Sequence, residues 1–285
     1  KGKPVELTKR VRNQAESIIE EFMLAANETV AEHLFWLEAP CIYRVHEEPP
    51  YEGVSTFNTM AAPYGFQLKA DMDGKVHPRQ YQDVLDKLEG HPVKELMETL
   101  LLRSMSHARY DIKALGHFGL SATYYCHFTS PIRRYPDLEV HRILKRYFME
   151  NLPEEKEKAA MNYRAFQAAE QSSEQETAAE SAERDVDKIK SVEYMKQFVG
   201  EAFEARISGM INSGLFVELD NLTEGFLPFF SLNGYHTFSP QEMVVRDAAN
   251  QVRFRFGDRL RVRLVKADVL LGHLDFELEE GELLD

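Results

Sequence analysis

The chain has 285 residues, 44% of them hydrophobic and 28% charged, an ordinary globular composition for one large or two medium domains. Its two cysteines, Cys41 and Cys126, exclude a disulfide framework and sit in no metal-ligand spacing, which fits a reducing cytoplasm. No apolar run is long enough to span a bilayer, and residues 1–13 lack the apolar core of a signal peptide. The net charge of −13 runs against the basic balance usual in a nucleic-acid binder, although binding depends on where positive charge clusters rather than on its sum. The chain opens on lysine and its first apolar-periodic segment begins almost at once, so it reads as a piece of a longer polypeptide.

Residues 17–37 read as a helix: Ile18, Ile19, Phe22, Met23, Ala26, Val30 and Leu34 recur at helical spacing, and Pro40 ends the run. A short strand-like run at 41–45 and a loop at 46–53 with two prolines follow. Helices are expected at 57–66 and 78–90, divided by Gly and Pro, and at 92–105, where Pro92 opens a helix with Leu96, Leu100 and Leu101 on one face. Residues 115–136 are irregular. A helix then starts at Pro136-Asp137 and continues through Leu144 to Phe148. Residues 154–195 are acidic and alanine-rich without a sustained heptad, so they read as an exposed helix or helical pair. From Gly200 the pattern changes to short alternating segments at 203–208, 214–219, 225–227, 253–256, 259–268 and 274–278. These form a small all-β unit of the size of a five-stranded barrel. The fold class is α+β.

Two segments carry chemistry. In the barrel, Phe216 lies on an alternating strand, and Arg259, Arg261 and Arg263 point to one face of another. An aromatic for stacking beside a basic stripe for phosphates suits single-stranded nucleic acid. The neighbouring Phe226, Phe229, Phe230 and Phe238 read mostly as core. The second segment is His127-Phe-Thr-Ser-Pro-Ile-Arg-Arg-Tyr-Pro-Asp137, continued by His141-Arg142. It sets two adjacent guanidiniums beside hydroxyls at a helix start, an arrangement suited to holding a phosphodiester while charge develops on it. On spacing alone it serves equally to tie itself down, with Arg133 or Arg134 paired to Asp137 or Glu139.

Gly116-His-Phe-Gly-Leu followed by the 127–142 run resembles the signature of the ribonuclease II and ribonuclease R family of exoribonucleases. Glu204-Ala-Arg-Ile-Ser-Gly, Gly214-Leu-Phe-Val-Glu-Leu, Glu224-Gly-Phe-Leu-Pro and Gly257-Asp-Arg-Leu-Arg-Val-Arg resemble an RNA-binding OB-fold domain, with Pro228 where that domain often has histidine. The resemblance implies a helix-rich C-terminal part of a ribonuclease II-type catalytic domain at 1–198, an OB-fold barrel at 199–281 and a tail at 282–285. The Arg-Arg-Tyr-Pro-Asp form and the closing strand lean to the ribonuclease R branch.

The implied activity is processive 3′-to-5′ hydrolysis of single-stranded RNA to nucleoside monophosphates. Arg133 is implied to contact the scissile phosphate, Glu20 to line the active site and Glu183 to border the RNA path. Ser130, Arg134 and Tyr135 of the same loop, with Phe216, Arg259, Arg261 and Arg263 of the barrel, are the expected RNA contacts. The family uses divalent metal held by a tight acidic cluster. The nearest candidate, Asp71-Met72-Asp73, reads as a polar turn, so Mg2+ is expected in the complete enzyme with its ligands outside this chain. The expected partners are single-stranded RNA and an upstream part of the same protein. The alternatives are a non-catalytic RNA-binding module and, on the strength of the long acidic helix alone, a scaffold.

Overall fold

Asn13 opens the first helix, α1 (Gln14–Trp36), with reciprocal caps: its side chain accepts the Glu16 N–H at 2.9 Å, and the Glu16 carboxylate accepts the Asn13 N–H at 3.0 Å. The computed structural model describes residues 2–8, 12–71, 74–91, 93–149, 153–240 and 242–279, together with the backbone but not the side chains of Glu95 and Leu96. The expectations for Met72, Asp73, Pro92, the Leu96 side chain and the tail 282–285 lie outside the described residues. The buried positions of α1 are Asn27, Ala31 and Leu34, whereas Ile18, Ile19 and Phe22 stand exposed. The apolar spacing sets the helical period correctly, but only the second half of α1 packs on the core.

A two-stranded antiparallel pair follows, β1 (Tyr43–Val45) with β2 (Arg109–Asp111). Between them lie α2 (Tyr51–Ala61), α3 (Pro78–Lys87) and α4 (Lys94–Ser104). Helix α2 begins directly behind the Pro49-Pro50 pair, where the sequence reading extends a loop to 53. Proline is barred from helix interiors but well suited to the residue before the first turn, and Pro50 takes the extended cap conformation. Gly53 permits close packing here, since a Cβ would overlap the backbone carbonyl of Ser104 on α4. Helix α5 (Tyr135–Met149) carries Pro136 in its first turn, and α6 (Glu155–Met195) is one unbroken helix of 41 residues rather than a pair.

The C-terminal unit is β3 (Ala202–Ile211), β4 (Gly214–Leu219), β5 (Glu224–Pro228), β6 (His236–Ser239), β7 (Val244–Asp247), β8 (Val252–Arg255), β9 (Arg259–Asp268) and β10 (His273–Leu278). Five of these close a barrel in the order β10-β5-β4-β3-β9, with β5 and β10 parallel and the other pairs antiparallel, which is OB-fold topology. The remaining three, β6, β7 and β8, form a separate sheet. The strand expected at 253–256 therefore belongs to this insertion and not to the barrel. β6 and β7 were not anticipated from the sequence.

Two apolar cores result. One runs from Phe57, Leu88 and Met97 of the α2–α4 region into Ile207, Leu215, Phe254 and Phe276 of the C-terminal unit. The other gathers Leu34, Cys41, Ile42, Cys126, Val140, Ile143, Ala165 and Ala169. Helix α6 enters the second with Ala165, Ala168 and Ala169 and the first with Val192 and Met195. No helix among the described residues is long and apolar enough to cross a membrane.

Candidate functional site

The 127–137 loop is a tight turn fixed from inside. The Ser130 carbonyl accepts the backbone N–H groups of Arg133 (3.3 Å) and Arg134 (3.1 Å). Asp137, with 0% of its side chain exposed, takes the Ser130 N–H at 2.7 Å and the Arg134 guanidinium at 2.8 Å. The two arginines thus differ in their engagement. Arg134 is turned inward onto Asp137. Arg133 is exposed and has no side-chain partner among the described residues, beside the fully exposed Ile132. Ser130 is partly buried and Tyr135 exposed, the latter ring lying 5.8 Å from the Arg142 guanidinium. Thr129 Oγ1, Arg134 Nε and Asp137 Oδ2 are buried without a hydrogen-bond partner. Three orphaned polar atoms in nine residues mark a segment shaped by something other than stability.

The loop is tied to α1 by Asn27. Its side-chain N–H donates to the Tyr125 hydroxyl (3.0 Å) and its carbonyl oxygen accepts the Phe128 N–H (3.0 Å). The loop is tied to α6 through a row of rings and charges. Tyr110 and His127 Nδ1 share a hydrogen bond at 2.9 Å, the Arg44 guanidinium lies 4.7 Å over the Tyr110 ring, and Arg44 pairs with Glu176. Burial, with help from Arg134, Arg44, His117 and Arg133, pushes the His127 pKa down to about 2. Burial with the neighbouring His46 and Arg44 pushes His117 down to about 4. Both rings therefore stay neutral near pH 7, so the positive charge at the loop is carried by guanidiniums.

Glu20 is partly buried and pairs with Arg12. It lies seven residues before Asn27, nearly two whole turns, and so occupies the same helix face about 10 Å away. Glu183 is exposed and lies seven residues beyond Glu176 on α6, again on the same face. Asn27, Tyr110, Arg44 and Glu176, far apart in sequence, are thus linked to one loop. The barrel residues stand elsewhere. Phe216 is partly buried against Phe226, 5.3 Å between ring centroids, and covers Gly209. Arg259, Arg261 and Arg263 share the exposed face of β9 above buried Leu260, Val262 and Leu264. Arg261 pairs with Glu279 at 2.9 Å, and Arg263 pairs with the same carboxylate and with the Gly200 carbonyl.

Sequence reasoning missed Asn27, Arg44 and Tyr110. Only Asn27 left a signal, a polar amide in the apolar stripe of an amphipathic helix. Among the described residues no group of three or more His, Cys, Asp or Glu could hold a metal ion, so the residues present do not fit the metal that the resemblance implies.

Residues 1–150 match the RNB domain family. The chain is 39% identical to ribonuclease R 1 of Lactococcus lactis subsp. lactis, the alignment covering 99% of this chain and 34% of that protein. It is also 39% identical to ribonuclease R of Thermotoga maritima, over 99% of this chain and 40% of the relative. Among solved structures, Mycoplasma genitalium RNase R in complex with ribose methylated single-stranded RNA superposes with a TM-score of 0.91 at 27% identity, covering 97% of this chain and 44% of that one. The chain thus spans roughly a third to two fifths of the length of these curated relatives. With the arginine loop and the α1 helix that holds it inside the matched region, the chain belongs to the RNB domain family.

Proposed function

We propose that the chain is the phosphate-gripping and RNA-guiding part of a ribonuclease R-type exoribonuclease that degrades single-stranded RNA processively from the 3′ end to nucleoside monophosphates in the cytoplasm. Residues 1–198 belong to the catalytic domain and 199–281 to the RNA-binding barrel. The observation that carries this reading is the division of labour at 133 and 134: one guanidinium is spent on holding the loop, which leaves its neighbour open at the surface. A guanidinium fork matches a phosphodiester and keeps its charge at any working pH. Held on a rigid turn, Arg133 aligns the scissile phosphate and stabilises charge as it develops on the oxygens. Glu20 and Glu183 flank the strand from α1 and α6. Phe216 and the exposed face of β9 hold incoming single-stranded RNA by stacking and charge. Mg2+ supplies water activation and leaving-group stabilisation in this family's chemistry, and we place its ligands in a part of the protein beyond this chain.

The test is turnover of a 5′-labelled single-stranded RNA in Mg2+ by the polypeptide as naturally encoded. Arg133→Ala lowers kcat by about 100-fold or more, and Arg133→Lys recovers only part of it. Undegraded RNA with the unaltered protein overturns the reading. One observation favours a second reading, a module that binds RNA without chemistry: the described residues hold no metal-binding group. It requires salt-sensitive RNA binding with no turnover at any metal concentration.

A further inference from the structure

We infer that Asn27 is a positioning residue, a single buried amide that sets the arginine loop, and with it Arg133, against the helix face that carries Glu20. This rests on the exoribonuclease reading above and adds to it the means by which the two sides of the site are brought into register.

Packing alone does not ask for asparagine at this position. Asn27 sits in the interior of a 23-residue helix at 3% exposure, in a stripe otherwise filled by Ala31 and Leu34. Asparagine is a poor helix former, and an amide buried without partners is costly. Leucine would fill the space at lower risk. Instead the residue reaches the facing chain three times. Its side-chain N–H donates to the Tyr125 hydroxyl at 3.0 Å, its side-chain oxygen accepts the Phe128 N–H at 3.0 Å, and its backbone carbonyl accepts the Cys126 thiol at 3.4 Å. These contacts fix the chain from 125 to 128. The next fixed points are Ser130 and Arg134, both held by Asp137. Arg133 is thus held between a clamp on α1, reinforced at Phe128 by His141 of α5 (2.9 Å to its carbonyl oxygen), and a clamp at the start of α5.

The same attachment continues across the site. Tyr125 packs edge-on against His127 with ring centroids 5.9 Å apart, His127 bonds Tyr110, and Tyr110 lies under Arg44, which pairs with Glu176 of α6. Each end of this row stands seven residues from a candidate carboxylate, Glu20 from Asn27 and Glu183 from Glu176. Seven residues place each carboxylate about 10 Å along the same helix face. Releasing the loop from Asn27 would let Arg133 shift relative to Glu20 without touching either residue, and a misplacement of about 1 Å near reacting atoms can cost on the order of 100-fold in rate.

The experiment compares Asn27→Leu, Asn27→Asp and Tyr125→Phe in the polypeptide as naturally encoded, measuring kcat and KM on single-stranded RNA together with thermal unfolding. Asn27→Leu is expected to lower kcat by about 30-fold with KM within about 3-fold, because misplacement acts at the reacting phosphate while most RNA contacts lie elsewhere. Asn27→Asp still accepts the Phe128 N–H but loses the N–H given to Tyr125 and buries a carboxyl, so it is expected to recover only part of the rate lost in Asn27→Leu. Tyr125→Phe removes one hydroxyl, leaves the Asn27 side-chain N–H without its acceptor and is expected to lower kcat by about 5-fold with only a modest fall in unfolding temperature; it carries the test alone if Asn27→Leu does not fold. The inference is overturned if kcat stays at the parent level in Tyr125→Phe, or if a folded Asn27→Leu keeps the parent kcat. An unaltered protein that leaves RNA intact overturns the exoribonuclease reading itself, which separates the two failures.

Discussion

Arg134 and Asp137 form a buried ion pair at 2.8 Å, and that pair is what leaves Arg133 unengaged at the surface of the same turn. Breaking a buried pair by removing one partner strands a charge in a low-dielectric environment, whereas removing an exposed charge does not. Arg134→Ala is therefore expected to destabilise the chain by about 2–4 kcal/mol, and Arg133→Ala by less than about 0.5 kcal/mol. Urea unfolding of the two variants checks this, and equal losses would contradict the division of roles.

The arginine row on β9 is partly neutralised by Glu279, which pairs with both Arg261 and Arg263 and whose carboxyl is held below its usual range by those two guanidiniums. If the row contacts RNA, removing the carboxylate charge frees two cations for phosphate. Glu279→Gln is expected to tighten binding of a labelled single-stranded RNA by about 3-fold at low salt and to steepen the salt dependence, while Arg259→Ala weakens it. Fluorescence anisotropy at several salt concentrations reads both, and an unchanged salt slope in Glu279→Gln would remove the row from the RNA surface.

Acid should destabilise the chain through two histidines. The folded-state values, about 4 for His117 and about 2 for His127, lie below the ordinary 6.5. Above about pH 6.5 neither the folded nor the unfolded state binds these protons. As pH falls below that point, the unfolded chain takes up protons that the folded chain refuses, so stability is lost progressively toward pH 4. Between about pH 7.5 and 5 each histidine accounts for roughly 2 kcal/mol of loss, so the pair contributes at most about 4 kcal/mol. A double variant, His117→Gln with His127→Gln, should show a shallower decline in denaturant midpoint over that range.

Gly225 is one of the tight points of the barrel. It lies on β5, the strand parallel to β10, and a Cβ there would overlap the Phe276 ring and stand 2.8 Å from the Leu274 carbonyl oxygen. Gly225→Ala is expected to cost about 2–3 kcal/mol, because neither a buried ring nor a backbone carbonyl can move aside freely. Circular dichroism with urea unfolding measures it, and a neutral result would show that the barrel closes more loosely here.

Local pattern carried most of the fold. The limits of β4 and β9 follow from alternation alone, and α5 from its proline. What the sequence could not convey was which faces would find partners. Ile18, Ile19 and Phe22 have the spacing of a buried stripe and are exposed, because burial depends on a neighbour and not on period. Of the β6–β8 sheet only β8 was legible, and its place outside the barrel follows from pairing with β7, which alternation does not reveal. At the site, the arginine loop was legible because its residues are contiguous. Asn27, Tyr110 and Arg44 come from three separate elements and meet only after folding, so no spacing rule joins them to position 133.

Helix α6 has a mechanical consequence. Its 41 residues extend about 60 Å, with both ends embedded and the middle bare. Along that bare stretch a change of side chain disturbs nothing packed, yet adding or deleting one residue would turn everything beyond it by about 100°. The barrel is also seated on α2–α4, so it could not follow such a rotation. Apart from Glu183, this segment should therefore drift in composition while its length stays fixed.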